Sequence, residues 1–343
     1  MSQDSPIPPP RILVASEDPE LRQQLLSLLE SKGYPTTIAA QPLVVRAALE
    51  RTGAEAVLSA VGSGSASSQV SSSPLARAEQ EERAWILAEL PRAIEREEID
   101  VYYQRRVRLF DLQVVGVEAL ARWHHRERGF VEPSRFIPIA EEAGLIQHIG
   151  AYVLRRACMQ ASQWRRDGLA LLRVSVNVSP AQFRDAALAG KVVSALTESE
   201  LPPSMLELEI TESMVMSDPQ RAIETLWRLR HAGVAISIDD FGTGYSSLSY
   251  LQRMPVSALK IDQSFIRQVP AKAESAAVTT AVVLLGQSLK LHVVAEGVET
   301  QTQLSFLQAV GCDEVQGYLF GRPLPAGEFA RSLRAGAPEP AAR

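Results

Sequence analysis

The chain has 343 residues, 46% of them hydrophobic, enough for a buried core in one large domain or two smaller ones. Its formal net charge of −5 offers no bulk attraction to nucleic acid or an anionic membrane, which argues against a duplex-DNA binder and leaves any phosphate-bearing ligand to local cations or metal. The two cysteines, Cys158 and Cys312, stand far apart without metal-ligand spacing, so reduced thiols in a cytoplasmic protein are expected.

Residues 1–10 are polar and proline-rich and are expected to be disordered; with no long apolar run, neither a signal peptide nor a membrane span is expected. RILVASEDPE reads as a strand ending in acids, LRQQLLSLLESKG as an amphipathic helix with a glycine stop, and YPTTIAA as a short strand. A further helix (PLVVRAALERTG) and strand (AEAVLSAVG) complete a small α/β segment at 11–62. Residues 63–85, Ser/Gly-rich and then charged, read as a linker.

From Val101 onward strand patterns alternate with helical ones, at 101–109, 114–121, 172–178, 206–210, 234–239, 257–261, 292–296 and 314–319. Such alternation argues for parallel strands with helical crossovers. The helix HIGAYVLRRACMQASQWRRDG places Leu154, Ala157, Cys158, Ala161 and Trp164 on one face. The turn FDLQ between the first two strands is too short for a crossover and predicts an antiparallel hairpin. Together these predict an α/β fold of the (β/α)8 type with an antiparallel opening strand, spanning 86–335, followed by a disordered C-terminus at 336–343.

In that fold active sites gather where strands end. Glu118, Asn177, Glu209, Asp239, Asp240, Lys260, Glu296 and Gln316 each close or follow an apolar, β-branched run. At least five negative charges then converge on one mouth, where like charges raise each other's pKa unless a cation neutralises them. A divalent metal site is the economical explanation, and oxygen ligands suit Mg²⁺ or Mn²⁺. The adjacent Asp239 and Asp240 can diverge at a strand end to serve two ions, which clamp a phosphoryl group when about 3.5–4 Å apart. Lys260 is placed to orient water or balance phosphate charge.

The strings EALAR (118–122), NVS (177–179), ELEITES (207–213), DDFGTGYSSL (239–248), LKID (259–262), AEGVET (295–300) and VQGYLF (315–320) resemble, in order and spacing, the EAL-domain phosphodiesterases that hydrolyse cyclic di-GMP. The resemblance covers about residues 95–335 and includes FIPIAEEAGLI. It implies Glu118, Asn177, Glu209 and Asp239 as ligands of one metal, and Asp239, Asp240 and Glu296 around a second, with Glu296 near the water nucleophile. It implies Lys260 as the catalytic lysine, with Asp262 and Gln316 beside it. Arg122 is similar to an arginine that touches substrate phosphate, and Gln104 sits where the family recognises ligand. Glu212 matches the glutamate that anchors the DDFGTGYSSL loop, and Glu299 a supporting acid. The implied product is linear pGpG, and the implied assembly a homodimer through barrel helices. One departure lies in YYQRRVRLF: the family usually carries Gln-Pro-Ile or similar, whereas Arg105 and Arg106 follow Gln104 here.

Residues 11–62 resemble the opening of a response-regulator receiver, with Glu17 and Asp18 as the acidic pair, but the third strand AVLSAVG offers no aspartate. A truncated or degenerate receiver is implied, suited to contacts, with a regulatory partner through this segment left open. Elsewhere Trp227 reads as a packing residue, Met214 and Met216 as ordinary packing, and His124–His125 as a surface turn. Two other functions compete: a catalytically silent receptor for the dinucleotide, and a barrel glycosidase using two carboxylates. The glycosidase does not require Asn177 and Lys260 among so many acids, and 6% aromatic content leaves few sugar platforms.

Incubation of residues 11–62 with a small phosphodonor is expected to give no stable phosphoprotein on a phosphate-affinity gel; a shifted band would overturn the degenerate-receiver reading.

Overall fold

The computed structural model describes residues 12–15, 27, 36–39, 56–58, 74–169, 172–243 and 248–335. Near the N-terminus β1 (Ile12–Ala15), β2 (Thr36–Ala39) and β3 (Ala56–Leu58) form a parallel sheet in the order β2-β1-β3. Apart from Ser27, which is helical, the helices expected before and after β2 lie outside the described residues, as do both termini and 63–73. Helix α1 (Pro74–Glu95) runs across the expected boundary at 85/86. Trp85, on the linker side of that boundary, stacks on Trp123 with ring centroids 5.2 Å apart and carries Arg128 over its other face at 4.0 Å.

A closed barrel of eight strands follows, made by β4 (Ile99–Arg108), β5 (Val114–His125), β7 (Arg173–Asn177), β8 (Leu206–Thr211), β9 (Ala235–Phe241), β10 (Ala258–Ile261), β11 (His292–Glu296) and β12 (Glu314–Gln316). All neighbours are parallel except those of β4, which runs antiparallel to both β5 and β12 and so closes the ring. Two short strands went unpredicted: β6 (Gly129–Val131), which turns back on β5, and β13 (Leu324–Pro325), which pairs with Tyr102 and Tyr103 of β4. The strand expected at 314–319 stops at Gln316, because the chain turns there and Leu319 donates its amide to the Val298 carbonyl.

Around the barrel pack α2 (Pro133–Glu142), α3 (Ile146–Arg166), α4 (Leu188–Ser199), α5 (Pro219–His231), α6 (Ala273–Leu289), α7 (Gln301–Val310) and α8 (Ala326–Arg334). The predicted face of α3 is buried as expected. Cys158 and Cys312 are both free and buried, and burial pushes each thiol up to about 12. Trp227 differs from expectation: it lies 44% exposed on α5 against His231, because the buried stripe of that helix runs through Ala222, Ile223, Leu226 and Leu229. His125 differs too. It is buried at the end of β5 with its ring edge-on to Trp85 and Trp123, while its Nδ1 accepts the Glu127 amide.

Alternate residues of a strand face the barrel interior. In β4 and β8 this puts Arg106 and Glu207 inside, where many barrels hold aliphatic layers. Arg106 Nη1 lies 2.6 Å from Glu207 Oε1 and its Nε 2.6 Å from Glu314 Oε2, while Arg173 reaches the other Glu207 oxygen at 3.2 Å. Gly116 makes room for this network, since an added Cβ would meet Arg106 Nε at 3.2 Å and the Arg173 carbonyl at 3.1 Å. Burial alone would strongly disfavour these charges, and mutual pairing is what holds them.

Glu207→Ala, which leaves the buried Arg106 short of its anion, is expected to cost about 3–5 kcal/mol. The denaturant midpoint should fall at unchanged slope. Arg106→Met with Glu207→Leu is expected to recover most of that loss.

Candidate functional site

The strand register brings the predicted acids together at the barrel mouth, at or near the ends of β8, β9 and β11 and in mid-strand on β5, which runs on past Glu118 to His125. Glu118 pairs in register with Ser175, Asn177 with Glu209, Thr211 with Asp239, and Glu296 with Gln316. At the centre stands Lys260, fully buried on β10. Its Nζ donates to Glu209 Oε2 at 2.6 Å and lies 2.5 Å from Glu296 Oε1 and 3.3 Å from Asp239 Oδ2. Burial alone would push the lysine toward neutrality, but Asp239, Glu118, Glu209 and Glu296 outweigh it and hold the ammonium charged.

A second chain of contacts runs from Glu118. Its Oε1 accepts Asn177 Nδ2 at 2.6 Å and its Oε2 accepts Gln316 Nε2 at 2.5 Å. Gln316 Nε2 also reaches Gln104 Oε1 at 3.1 Å, and Gln104 Nε2 donates to the Gly321 carbonyl at 3.2 Å. Gly317, next in the chain, lets the Val298 backbone approach, because a Cβ there would run into the Val298 carbonyl oxygen.

Environment splits the acids. Burial raises Glu118, but Lys260 and the amides of Gln316 and Asn177 win and bring it below the ordinary carboxylate value. Glu209 is raised by burial and by its acidic neighbours, against Lys260. Glu296 is pushed up to about 8 by burial and by Asp239, and Asp240 to about 6 by burial, Asp239 and Asp262. Asp240 occupies left-handed backbone with φ 54, and its carboxyl meets that of Asp262.

The remaining predicted residues lie around this centre. Asp262 caps the helical turn Gln263–Ile266 by accepting the Ser264 amide at 3.0 Å. Glu212 Oε2 accepts the Gly242 amide at 3.0 Å, tying down the entry to the loop after β9; residues 244–247 of that loop lie outside the described residues. Glu299 lines a polar cleft of about 220 Å³ together with Gln104, Glu118, Asn177, Asp239 and Glu296. Arg122 makes no ion pair among the described residues, although the charge of Glu118 reaches it. Its Nη1 donates to the Ala121 carbonyl, its guanidinium lies 5.9 Å from the Tyr102 ring centre, and it lines a neighbouring, largely apolar cleft of about 400 Å³. Leu120 and Asn177 line both clefts, so the two adjoin.

Arg105 and Arg106 reach neither cleft: Arg106 points into the barrel floor and Arg105 outward to α8. Period 2 gives only Gln104 the level of Glu118. Gln263 and Arg267, joined at 2.8 Å, line the polar cleft and were not singled out in the sequence. Nothing in their helical turn marks them as different from a solvated face.

Carboxylate and amide oxygens form the donor set of a hard divalent cation. Glu209 Oε1 and Gln316 Oε1 are buried without a hydrogen-bond partner, which fits oxygens reserved for such an ion. Among the described residues no group of three acidic, histidine or cysteine side chains is set to hold a metal ion as it stands; the Lys260 ammonium occupies the point on which Glu209, Asp239 and Glu296 converge.

The EAL domain family matches residues 87–323. The chain belongs to this family. Over 256 residues this EAL chain is 45% identical to the bifunctional diguanylate cyclase/cyclic di-GMP phosphodiesterase MucR of Pseudomonas aeruginosa, covering 75% of this chain and 37% of that protein. It is 44% identical to the cyclic di-GMP phosphodiesterase NbdA of the same organism, over 72% of this chain and 32% of the relative. It therefore spans about a third of the length of these curated relatives. Among solved structures it is similar to the PaMucR phosphodiesterase in complex with c-di-GMP, with TM-score 0.70 and 46% identity over 71% of this chain and 99% of that one. No helix among the described residues is long and apolar enough to cross a membrane.

A carboxyl held above its ordinary value keeps a proton that the unfolded chain has released, so its contribution to stability falls as pH rises. For metal-free protein the melting midpoint is expected to decline from about pH 4.5, the ordinary glutamate value, to about 8, where Glu296 has titrated. Glu296→Gln should flatten the upper part of that decline; an unchanged slope would contradict the assignment.

Proposed function

We propose that this EAL domain is a metal-dependent phosphodiesterase that hydrolyses cyclic di-GMP to linear pGpG in second-messenger signalling. The observation that carries the reading is Lys260, wholly buried and in contact with Glu209, Asp239 and Glu296 beside the Glu118–Asn177 pair. A glycosidase pair would leave that lysine without a role.

In this reading Glu118, Asn177, Glu209 and Asp239 hold one Mg²⁺ or Mn²⁺ and Asp239, Asp240 and Glu296 a second. Bound there, the ions would polarise a phosphoryl group and lower the pKa of water. The chain's own residues orient and neutralise. The two adjoining clefts provide a polar place for a phosphate and an apolar-walled place for a base. Gln104 and Gln316 line the polar side and Arg122 the other, with Asp262 beside Asp240. Water adds to phosphorus as the ester oxygen leaves, one P–O bond forming as another breaks, with a 5′-phosphate and a 3′-hydroxyl as products. Glu296, raised by its surroundings, is suited to take the water's proton at a carboxylate oxygen, with Lys260 Nζ 2.5 Å away to balance the charge. Glu212 and Glu299 support the surrounding loops.

The supports for this substrate are the names of the relatives and the complete motif set. Residues 86–335 are inferred to be the catalytic unit, acting in the cytoplasm as a homodimer. The parallel order β2-β1-β3 supports a truncated receiver-like unit at 11–62 that serves regulatory contacts. The silent-receptor alternative draws on Lys260: a lysine that stays among the acids in excess metal would permit binding without turnover.

The test incubates the full chain with cyclic di-GMP in Mg²⁺, in Mn²⁺ and in chelator, followed by chromatography. Metal-dependent pGpG is expected, with Glu118→Ala lowering turnover by about a hundredfold or more. Undiminished turnover in Glu118→Ala would sink the metal assignment, and bound but intact nucleotide in excess metal would favour the receptor.

A further inference from the structure

Strand β4 divides three consecutive residues between two environments. Gln104 and Arg106 face the barrel interior, the first toward Glu118 and Gln316 and the second toward Glu207. Arg105 faces the opposite way, between β4 and the C-terminal helix α8. It is 5% exposed, yet it makes no ion pair among the described residues. Its Nη2 donates to Ser332 Oγ at 2.9 Å, its guanidinium lies 6.0 Å from the Phe329 ring centre, and its Nη1 is buried without a partner. Burial accordingly pulls its pKa down. A buried guanidinium without an anion is costly, and an apolar side chain of similar length would fill the space without that cost. Bulk packing therefore does not account for an arginine here.

Its position beside Gly321 does. An added Cβ at Gly321 would meet Arg105 Nε at 3.5 Å and Cζ at 3.7 Å, so the guanidinium lies along the turn that Gly321 ends. That turn is held by the Gly321 amide on the Tyr318 carbonyl at 3.2 Å, and the Gly321 carbonyl is the acceptor for Gln104 Nε2. Beyond it the chain pairs with β4 at Tyr103 and enters α8, which carries the Ser332 and Phe329 that grip Arg105. Arg105 thus touches both ends of the segment that leads from Gly321 into α8. The Gly321 carbonyl orients the Gln104 amide, Gln104 Oε1 fixes Gln316 Nε2, and Gln316 Nε2 fixes Glu118 Oε2.

We propose that Arg105 is a positioning residue that locks the Gly321 turn to α8 and thereby sets the Gln104–Gln316–Glu118 chain on which ligand and metal binding depend. Resting on the function proposed above, this assigns a role to the departure of YYQRRVRLF from the usual family string. Arg105 itself touches neither substrate nor metal.

The experiment compares the full chain with Arg105→Met, which keeps the stem, Arg105→Lys, which keeps the charge, and Ser332→Ala, which removes one hydroxyl. KM and kcat for cyclic di-GMP, the ligand Kd in chelator, and the half-saturating Mn²⁺ concentration are measured well below each melting midpoint. Arg105→Met is expected to raise KM, Kd and the Mn²⁺ requirement by about tenfold, the scale of one well-made hydrogen bond, with kcat at saturation within about twofold. Ser332→Ala should move the same quantities in the same direction by less, and Arg105→Lys should fall between Arg105→Met and the unaltered chain. Unchanged KM, Kd and Mn²⁺ requirement in Arg105→Met, even with a lowered melting midpoint, would reduce Arg105 to packing and overturn the proposal. If Arg105→Met does not fold, unaltered binding in Ser332→Ala does the same. If the unaltered chain neither binds nor cleaves cyclic di-GMP, the proposed function fails. The Mn²⁺ requirement, read by paramagnetic resonance of the free ion, then still decides the role of Arg105 through Glu118.

Discussion

A single ammonium group, Lys260 Nζ, lies at the centre of the barrel mouth, and the disposition of the acids follows from it. Removed from water, a lone carboxylate would neutralise, and several together would repel. With Lys260 among them, Glu209, Asp239 and Glu296 converge within hydrogen-bonding or ion-pair distance of one point. The balance remains incomplete, since one cation faces more than one anion. Burial first, and that shortfall after it, keep Glu209 and Glu296 raised, and the shortfall leaves the mouth receptive to further positive charge. A divalent ion would relieve the same imbalance that Lys260 only partly offsets.

Beneath this layer lies a second that sets its platform. Arg106, Arg173, Glu207 and Glu314 fill the barrel floor with paired charges, and the absence of a side chain at Gly116 gives them space. Outside both layers, the outward faces of β8 and β9 bury Leu208, Ile210, Ile236 and Ile238 against the helices and exclude water. The ionic interior is therefore thin, two storeys of charge inside an aliphatic wall. A wall of this kind makes each contact within it stronger and each unpaired group more costly.

Much of this was legible in the sequence, for a physical reason. Strand ends marked by acids after β-branched runs have few alternatives, because a carboxylate there must be solvated, paired or coordinated. Hence Glu209, Asp239 and Glu296 stand out in the sequence alone, and Glu118 does so through the apolar run VVGV that it follows. The hairpin of β4 and β5 was equally plain from the length of the FDLQ turn. The barrel floor was less so, although Glu207 and Glu209 stand two apart in ELEIT and Gln104 and Arg106 two apart in YQRR, the spacing that puts both on one face. What sequence could not supply was depth. His125 in a polar-looking turn is buried because Trp85 and Trp123 come to it from different elements, and Trp227 is exposed because smaller residues of its helix face the core. Strand β13 escaped notice because two residues carry no period.

Strand β4 opens the barrel but is held by the strands that close it. Its partners β12 and β13, the Gly321 carbonyl and the helix bearing Ser332 all lie more than 200 residues further along the chain. While the polypeptide is being synthesised, β4 and β5 can pair early, but Gln104 and Glu118 must wait for Gln316 and Gly321 to emerge. Until then the ring is open and its acids face water. Contacts of such long sequence separation form late and slow folding. The barrel mouth can thus close only after residue 321 has been made, and a ribosome that stops short of residue 316 releases a chain with most of its acids and no closed place to use them.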